Sequence, residues 1–130
     1  MWIRWLMVIL YGGLIFWGSS QTIPELVSGV SYLDRVAHLI EYGLLAFLIY
    51  RACRVTPGKW LEQHIILVVI LSSVLYGASD EFHQYFVPGR EMSSSDFLFD
   101  SLGSVLVTVL MSLLATKQIG GDLSHQKGNE

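Results

Sequence analysis

Three stretches of the chain carry side chains able to move protons or hold a cation. The first offers Asp34, Arg35, His38, Glu41 and Tyr42; the second offers Asp80, Glu81, His83 and Gln84; the third offers Arg90, Asp96 and Asp100. An imidazole among carboxylates suits general acid–base work, with His38 or His83 taking the proton and Glu41, Asp80 or Glu81 orienting the ring. Those five are the candidate catalytic residues. Asp34, Arg35, Tyr42, Gln84, Arg90, Asp96 and Asp100 are the candidate ligand-binding residues, the two arginines being suited to gripping a phosphate or carboxylate. The same imidazole nitrogens and carboxylate oxygens suit a divalent cation such as zinc, magnesium or manganese. Spacing alone selects no single reaction. There is no HExxH, P-loop or nucleophile elbow. His38 and Glu41 stand three apart, a helical spacing that lets them share an ion or a hydrogen bond equally well.

The elements that position these groups are apolar. Of 130 residues, 52% are hydrophobic, and mean hydropathy is +0.51, beyond what an ordinary soluble domain of this size requires. Four apolar stretches, about Trp2 to Gly18, Leu33 to Ala52, Leu61 to Ala78 and Phe97 to Thr116, are each near the roughly 20 residues that carry a helix across a bilayer. The expected fold is therefore all-α, a bundle of four transmembrane helices occupying residues 1–116. A polar, disordered tail is expected over 117–130, and a short, partly helical segment around Ile23 to Tyr32. Arg4 ahead of an apolar run, with Gly18, Ser19 and Ser20 after it, also fits a secretory signal. Trp2, Trp5 and Trp17 near the ends of that run favour a true span, because tryptophan concentrates at membrane interfaces. Tyr11, Phe16, Tyr50, Trp60 and His64 read as interfacial or packing residues, and the single cysteine, Cys53, as a bystander.

Within these helices the polar residues fall on defined faces. Asp34, His38, Glu41 and Tyr42 line one side of the second span, while Ser73, Tyr76 or Gly77, Asp80 and Gln84 recur at helical spacing in the third. Gly77 and Ala78 permit close helix approach. Val87-Pro88-Gly89-Arg90 is a turn signal that returns the chain to the membrane. Ser93, Ser94 or Ser95 is placed to cap the fourth span, with Asp96 favourable in its first turn and Asp100, Gly103 and Ser104 continuing its inner face.

Charge sets the expected orientation. Six of the eight basic residues, Arg4, Arg51, Arg54, Lys59, Lys117 and Lys127, fall on one side of a four-span chain, which the positive-inside rule assigns to the cytoplasm, giving N-in and C-in. Eight of the eleven acids, Glu25, Asp34, Glu41, Asp80, Glu81, Glu91, Asp96 and Asp100, fall on the other, with only Arg35 and Arg90 as basic company. Charges at membrane depth face the bundle interior or a watered cavity, so an outward-facing polar site is expected. A net charge of −3 with scattered basic residues excludes nucleic acid as a partner class.

Asp34-Arg35-Val36-Ala37-His38-Leu39-Ile40-Glu41-Tyr42, then Asp80-Glu81-Phe82-His83-Gln84-Tyr85-Phe86-Val87-Pro88-Gly89-Arg90, then Asp96 and Asp100 before Gly103 resemble the VanZ-like family of bacterial membrane proteins. The resemblance covers about residues 30 to 115. Where that family often has Lys and Asn, this chain has Arg35 and Asp100; the first exchange keeps the charge, and the second adds an acid. The resemblance implies a multi-pass protein of the bacterial cytoplasmic membrane, with a role in glycopeptide (teicoplanin) resistance or cell-envelope remodelling. The partners it implies are membrane lipids and a lipid-linked cell-wall precursor or the antibiotic itself. Three further classes stay open: a membrane-embedded hydrolase or transferase acting on a lipid-linked substrate, an ion-coupled transporter, and a purely structural network of buried ion pairs. The last must contend with eight acids facing two arginines and two histidines.

Overall fold

A computed structural model of the chain describes residues 1–21 and 31–127. The segment expected around Ile23 to Tyr32 falls mostly on residues 22–30, outside those described; Ser31 and Tyr32 already belong to the next helix. Four helices follow in order: α1 (Trp2–Ser19), α2 (Ser31–Cys53), α3 (Lys59–Gln84) and α4 (Ser94–Lys127). Each is long and apolar enough to cross a membrane. Helices satisfy their backbone polar groups internally, so they can enter hydrocarbon where an irregular chain cannot.

The outer surface of the bundle is apolar to match. Ile3, Leu6, Ile9 and Leu10 of α1, Leu67, Leu71 and Leu75 of α3, and Leu102, Leu106, Leu110 and Leu113 of α4 all lie exposed, an arrangement suited to lipid rather than water. The interior is a small core of Ile15, Tyr42, Leu45, Ala46, Ile49, Tyr50, Cys53 and Val69. Five of its side chains besides Tyr42 belong to α2, which packs against each of the other three helices, most extensively against α4.

Small residues set that α2–α4 crossing. A Cβ built on Gly103 would collide with the carbonyl oxygen of Leu39, and one on Gly43 would lie 3.0 Å from the Val107 side chain. The two backbones are therefore in direct contact, the close approach that glycine gives membrane helices. On the other flank, Tyr76 donates a hydrogen bond to the Gly12 carbonyl at 2.6 Å, and Tyr11 donates to the Glu41 carbonyl at 3.2 Å, pinning α1 to α3 and α2.

The turns follow from local chemistry. Arg90 N–H donates to Val87 O at 3.1 Å with Gly89 at φ 81, so Pro88-Gly89 forms the expected turn, in which the third position needs a left-handed residue. Gly58, at φ 150, makes the corresponding entry into α3. Ser93 caps α4: its Oγ accepts the Asp96 backbone N–H at 3.2 Å.

Two boundaries lie beyond the apolar stretches. Helix α3 continues from Ala78 to Gln84, because Asp80, Glu81 and Gln84 prolong its buried face. Helix α4 continues past Thr116 to Lys127, through a polar stretch where a tail is expected. No proline interrupts residues 117–127, and extending an existing helix is far easier than starting one.

The bundle has two chemically distinct ends. At one, Arg4 donates to the Arg51 carbonyl at 3.0 Å and Trp5 to Thr56 Oγ1 at 3.0 Å, and Arg4, Arg51 and Arg54 line a common cavity with Phe47, Tyr50 and Met111. At the other end lie the amino-terminal turns of α2 and α4 and the carboxy-terminal turns of α3, with the acids.

Candidate functional site

Asp80 and Glu81 are consecutive on α3 and so diverge by about 100° around the helix. They serve two adjoining groups of polar residues. Glu81 turns toward α2 and α4, and Asp80 toward α1.

In the first group, His38 on α2 and Asp100 on α4 meet across the glycine crossing, with Nδ1 of His38 2.9 Å from Oδ1 of Asp100. Between an imidazole and a carboxylate this is an Nδ1–H donated to the acid, which fixes the ring and leaves Nε2 as the atom open to other chemistry. His38 is 7% exposed and Asp100 1%. Glu81, 3% exposed, completes a cluster: one ligating atom from each of His38, Glu81 and Asp100 lies within 4.8 Å of the others. The three come from three different helices. Glu81 Oε2 accepts the backbone N–H of Ser93 at 2.7 Å, tying the carboxylate to the cap of α4. Among the described residues, Glu81 Oε1, Asp100 Oδ2, the Tyr42 hydroxyl and the Ser101 hydroxyl are buried without a hydrogen-bond partner.

Gly77 makes room for this group. A Cβ there would lie 3.2 Å from the ring edge of Tyr42 and 3.5 Å from Asp100 Oδ2. Tyr42 follows His38 by one helical turn, and its backbone carbonyl accepts a long hydrogen bond from Ser104 at 3.4 Å. A polar stripe of Asp100, Ser104 and Thr108 thus faces α2 from one side of α4, all three residues buried.

In the second group, Asp80 accepts hydrogen bonds from Ser19 Oγ at 2.6 Å and Gln84 Nε2 at 3.1 Å. Both of its oxygens are therefore occupied. His83 stacks on Phe16 with ring centroids 4.2 Å apart and shares a hydrogen bond with Ser20 Oγ at 2.9 Å. These contacts join α1 to the polar end of α3 through Asp80, His83 and Gln84. Ser19→Ala should remove a hydrogen bond to an acid that is 4% exposed, lowering unfolding free energy by about 2 kcal/mol. Thermal unfolding in detergent, with Ser20→Ala as the less buried comparison, measures it.

The remaining candidates border the first group. Asp34, exposed, and Asp96, half-buried, bring carboxylate oxygens within 4.8 Å of a His38 ring nitrogen and of each other. Glu41 is half-buried. Arg90 lines a cavity of about 590 Å³ at the tip of the bundle, with Phe82, Tyr85, Glu91 and Met92. Arg35 is half-buried. Among the described residues, the one acid–base contact within 4.0 Å is His38–Asp100, so the pairings that a structural network would use, Arg35 with Asp34, Asp80 or Asp96 and Arg90 with Glu81 or Asp100, are not formed.

Some participants carry no strong signal in sequence. Ser19, Ser20 and Ser93 are short hydroxyl residues at helix ends, where such residues are common for capping alone. Gly43, inside an apolar run, gives no sign of the close α4 approach.

Four helices, each long and apolar enough to cross a membrane, with buried acids and an imidazole gathered at one end of the bundle, define a multi-pass membrane protein. The VanZ/LLP1 family pattern matches residues 3–115, and the chain belongs to that family. No curated protein and no solved structure matches it.

Proposed function

We propose that the chain sits in the bacterial cytoplasmic membrane, N-in and C-in. There the His38–Glu81–Asp100 cluster recognises, from the outer side, the polar head group of a lipid-linked cell-wall precursor. By altering how that precursor is presented, it contributes to envelope remodelling or glycopeptide tolerance. One observation carries this reading: among the described residues, two buried carboxylate oxygens and a phenol around His38 lack partners. Buried polar groups are nearly always satisfied, and hydroxyl or amine donors of a bound head group would satisfy these. The segregation of Arg4, Arg51 and Arg54 at the opposite end supports the orientation.

A second reading, hydrolysis or group transfer on the same class of molecule, is favoured by the Nδ1–H held by Asp100, which orients Nε2 as a general base. Comparing lipid and cell-wall precursor extracts from cells with and without the protein separates the two. Binding without chemistry gives identical extracts, while the purified chain retains the precursor and Asp100→Asn retains about tenfold less. A new or missing precursor species transfers the case to catalysis. Failure of the unaltered chain to retain any precursor overturns recognition.

A further inference from the structure

We infer that His38, Glu81 and Asp100 form a binding site for one first-row divalent cation, of which zinc and manganese are the representative ions. One ring–carboxylate contact, His38 with Asp100, is already in place with Glu81 beside it, and the charges of the three leave a deficit of positive charge. Of the four carboxylate oxygens on Glu81 and Asp100, one receives a proton donor from His38 and one from the Ser93 backbone. Glu81 Oε1 and Asp100 Oδ2 receive none among the described residues, although both side chains are more than nine-tenths buried. An unpaired acid in a region of low dielectric is expensive, and a dication is the most compact neutraliser of two of them.

Geometry agrees with the charge. Ligands about 2.1 Å from a metal stand about 3 Å apart at the right angles of an octahedral site and about 3.4 Å apart at the tetrahedral angle of zinc; His38 Nδ1 and Asp100 Oδ1 stand 2.9 Å apart. The pair can therefore exchange the shared proton for a metal with little movement, and Glu81 lies within the same 4.8 Å span. One imidazole nitrogen with carboxylate oxygens suits zinc or manganese better than calcium or magnesium, which take oxygen ligands. Because the ligands belong to α2, α3 and α4, the ion would also tie three helices together at the polar end. The neighbouring Asp34–His38–Asp96 group shares the histidine but has an exposed first member; it is the competing location. The inference shares its residues with the head-group reading, but it requires no head group.

The test uses the full chain in lipid nanodiscs with no precursor added, so metal loss and head-group loss are read separately. Chelator-treated protein is re-equilibrated with zinc or manganese, freed of excess ion by gel filtration, and its metal counted by elemental mass spectrometry. About one ion per chain is expected, with affinity falling at least about tenfold in Glu81→Gln and Asp100→Asn and unchanged in Asp34→Asn. Manganese bound to the unaltered chain should show nitrogen hyperfine coupling in electron spin echo spectra, and that readout requires no variant to fold. Retention of less than about a tenth of an ion, manganese without nitrogen coupling, or loss in Asp34→Asn with none in folded Glu81→Gln would each overturn the assignment.

Discussion

Gly103→Ala should lower the unfolding free energy of the bundle by about 2–3 kcal/mol, although alanine is the better helix former by about 1 kcal/mol. The added methyl would occupy the position of the Leu39 carbonyl oxygen and lie 3.1 Å from Leu39 Cα. Both are backbone atoms of a packed helix, so no rotamer change relieves the clash; α2 and α4 must separate. Separation undoes the most extensive helix contact in the molecule and draws Asp100, one turn from Gly103, away from His38. Two other glycines calibrate the effect. Gly43→Ala meets a Val107 methyl group at 3.0 Å, which can shift, and should cost no more than about 1 kcal/mol. Gly13→Ala meets nothing within 4 Å and should be neutral or stabilising by up to about 1 kcal/mol. Tryptophan fluorescence during unfolding in mixed micelles of rising dodecyl sulfate content gives the order. Equal midpoints for the Gly103 and Gly13 variants would show that the two helices do not touch through their backbones.

That crossing also explains which parts of the architecture can be read from residue types. Hydropathy over about 20 residues is a strong signal because the bilayer imposes it on every span, and Trp2 to Gly18 differs from the observed α1 by one residue at its end. The Pro88-Gly89 turn and the serine cap of α4 were legible for the same reason: each depends on a local conformational demand that few residues meet. Helical spacing also placed His38 and Tyr42, or Asp100 and Ser104, on shared faces. It could not choose partners between helices. Whether Asp80 or Glu81 faces α4 depends on the rotation of α3, which is set by contacts as remote as Tyr76 with Gly12. The sequence pattern treats the acids as one pool served by two arginines and two histidines, whereas folding assigns Asp80 to Ser19 and Gln84 and leaves His38 as the partner of Asp100. The end of α3 was similarly concealed, since charged residues usually mark the edge of a span and here they continue its buried face.

The His38–Asp100 pair gives the other large effect, and it distinguishes a scaffold from a site. In metal-free protein, His38→Leu removes the Nδ1–H donor and leaves an acid that is 1% exposed without a partner, among the described residues, on either oxygen. Breaking a buried pair from one side costs about 3–5 kcal/mol, the magnitude expected here. Asp100→Asn keeps an amide oxygen to accept the same hydrogen bond and should cost only about 1 kcal/mol. Replacing both members with leucine removes the unpaired charge along with the bond, so the double variant should recover most of the loss from His38→Leu. Stability would then rank unaltered chain, Asp100→Asn, double variant and His38→Leu, with the middle two close together. Precursor retention should follow a different order: the unaltered chain retains the ligand, and all three variants retain at least about tenfold less, because none presents both the carboxylate and the oriented imidazole. A pair that served packing alone would make the two orders coincide. Undiminished retention by the well-folded Asp100→Asn or double-leucine protein would therefore sink the site, whatever its effect on unfolding.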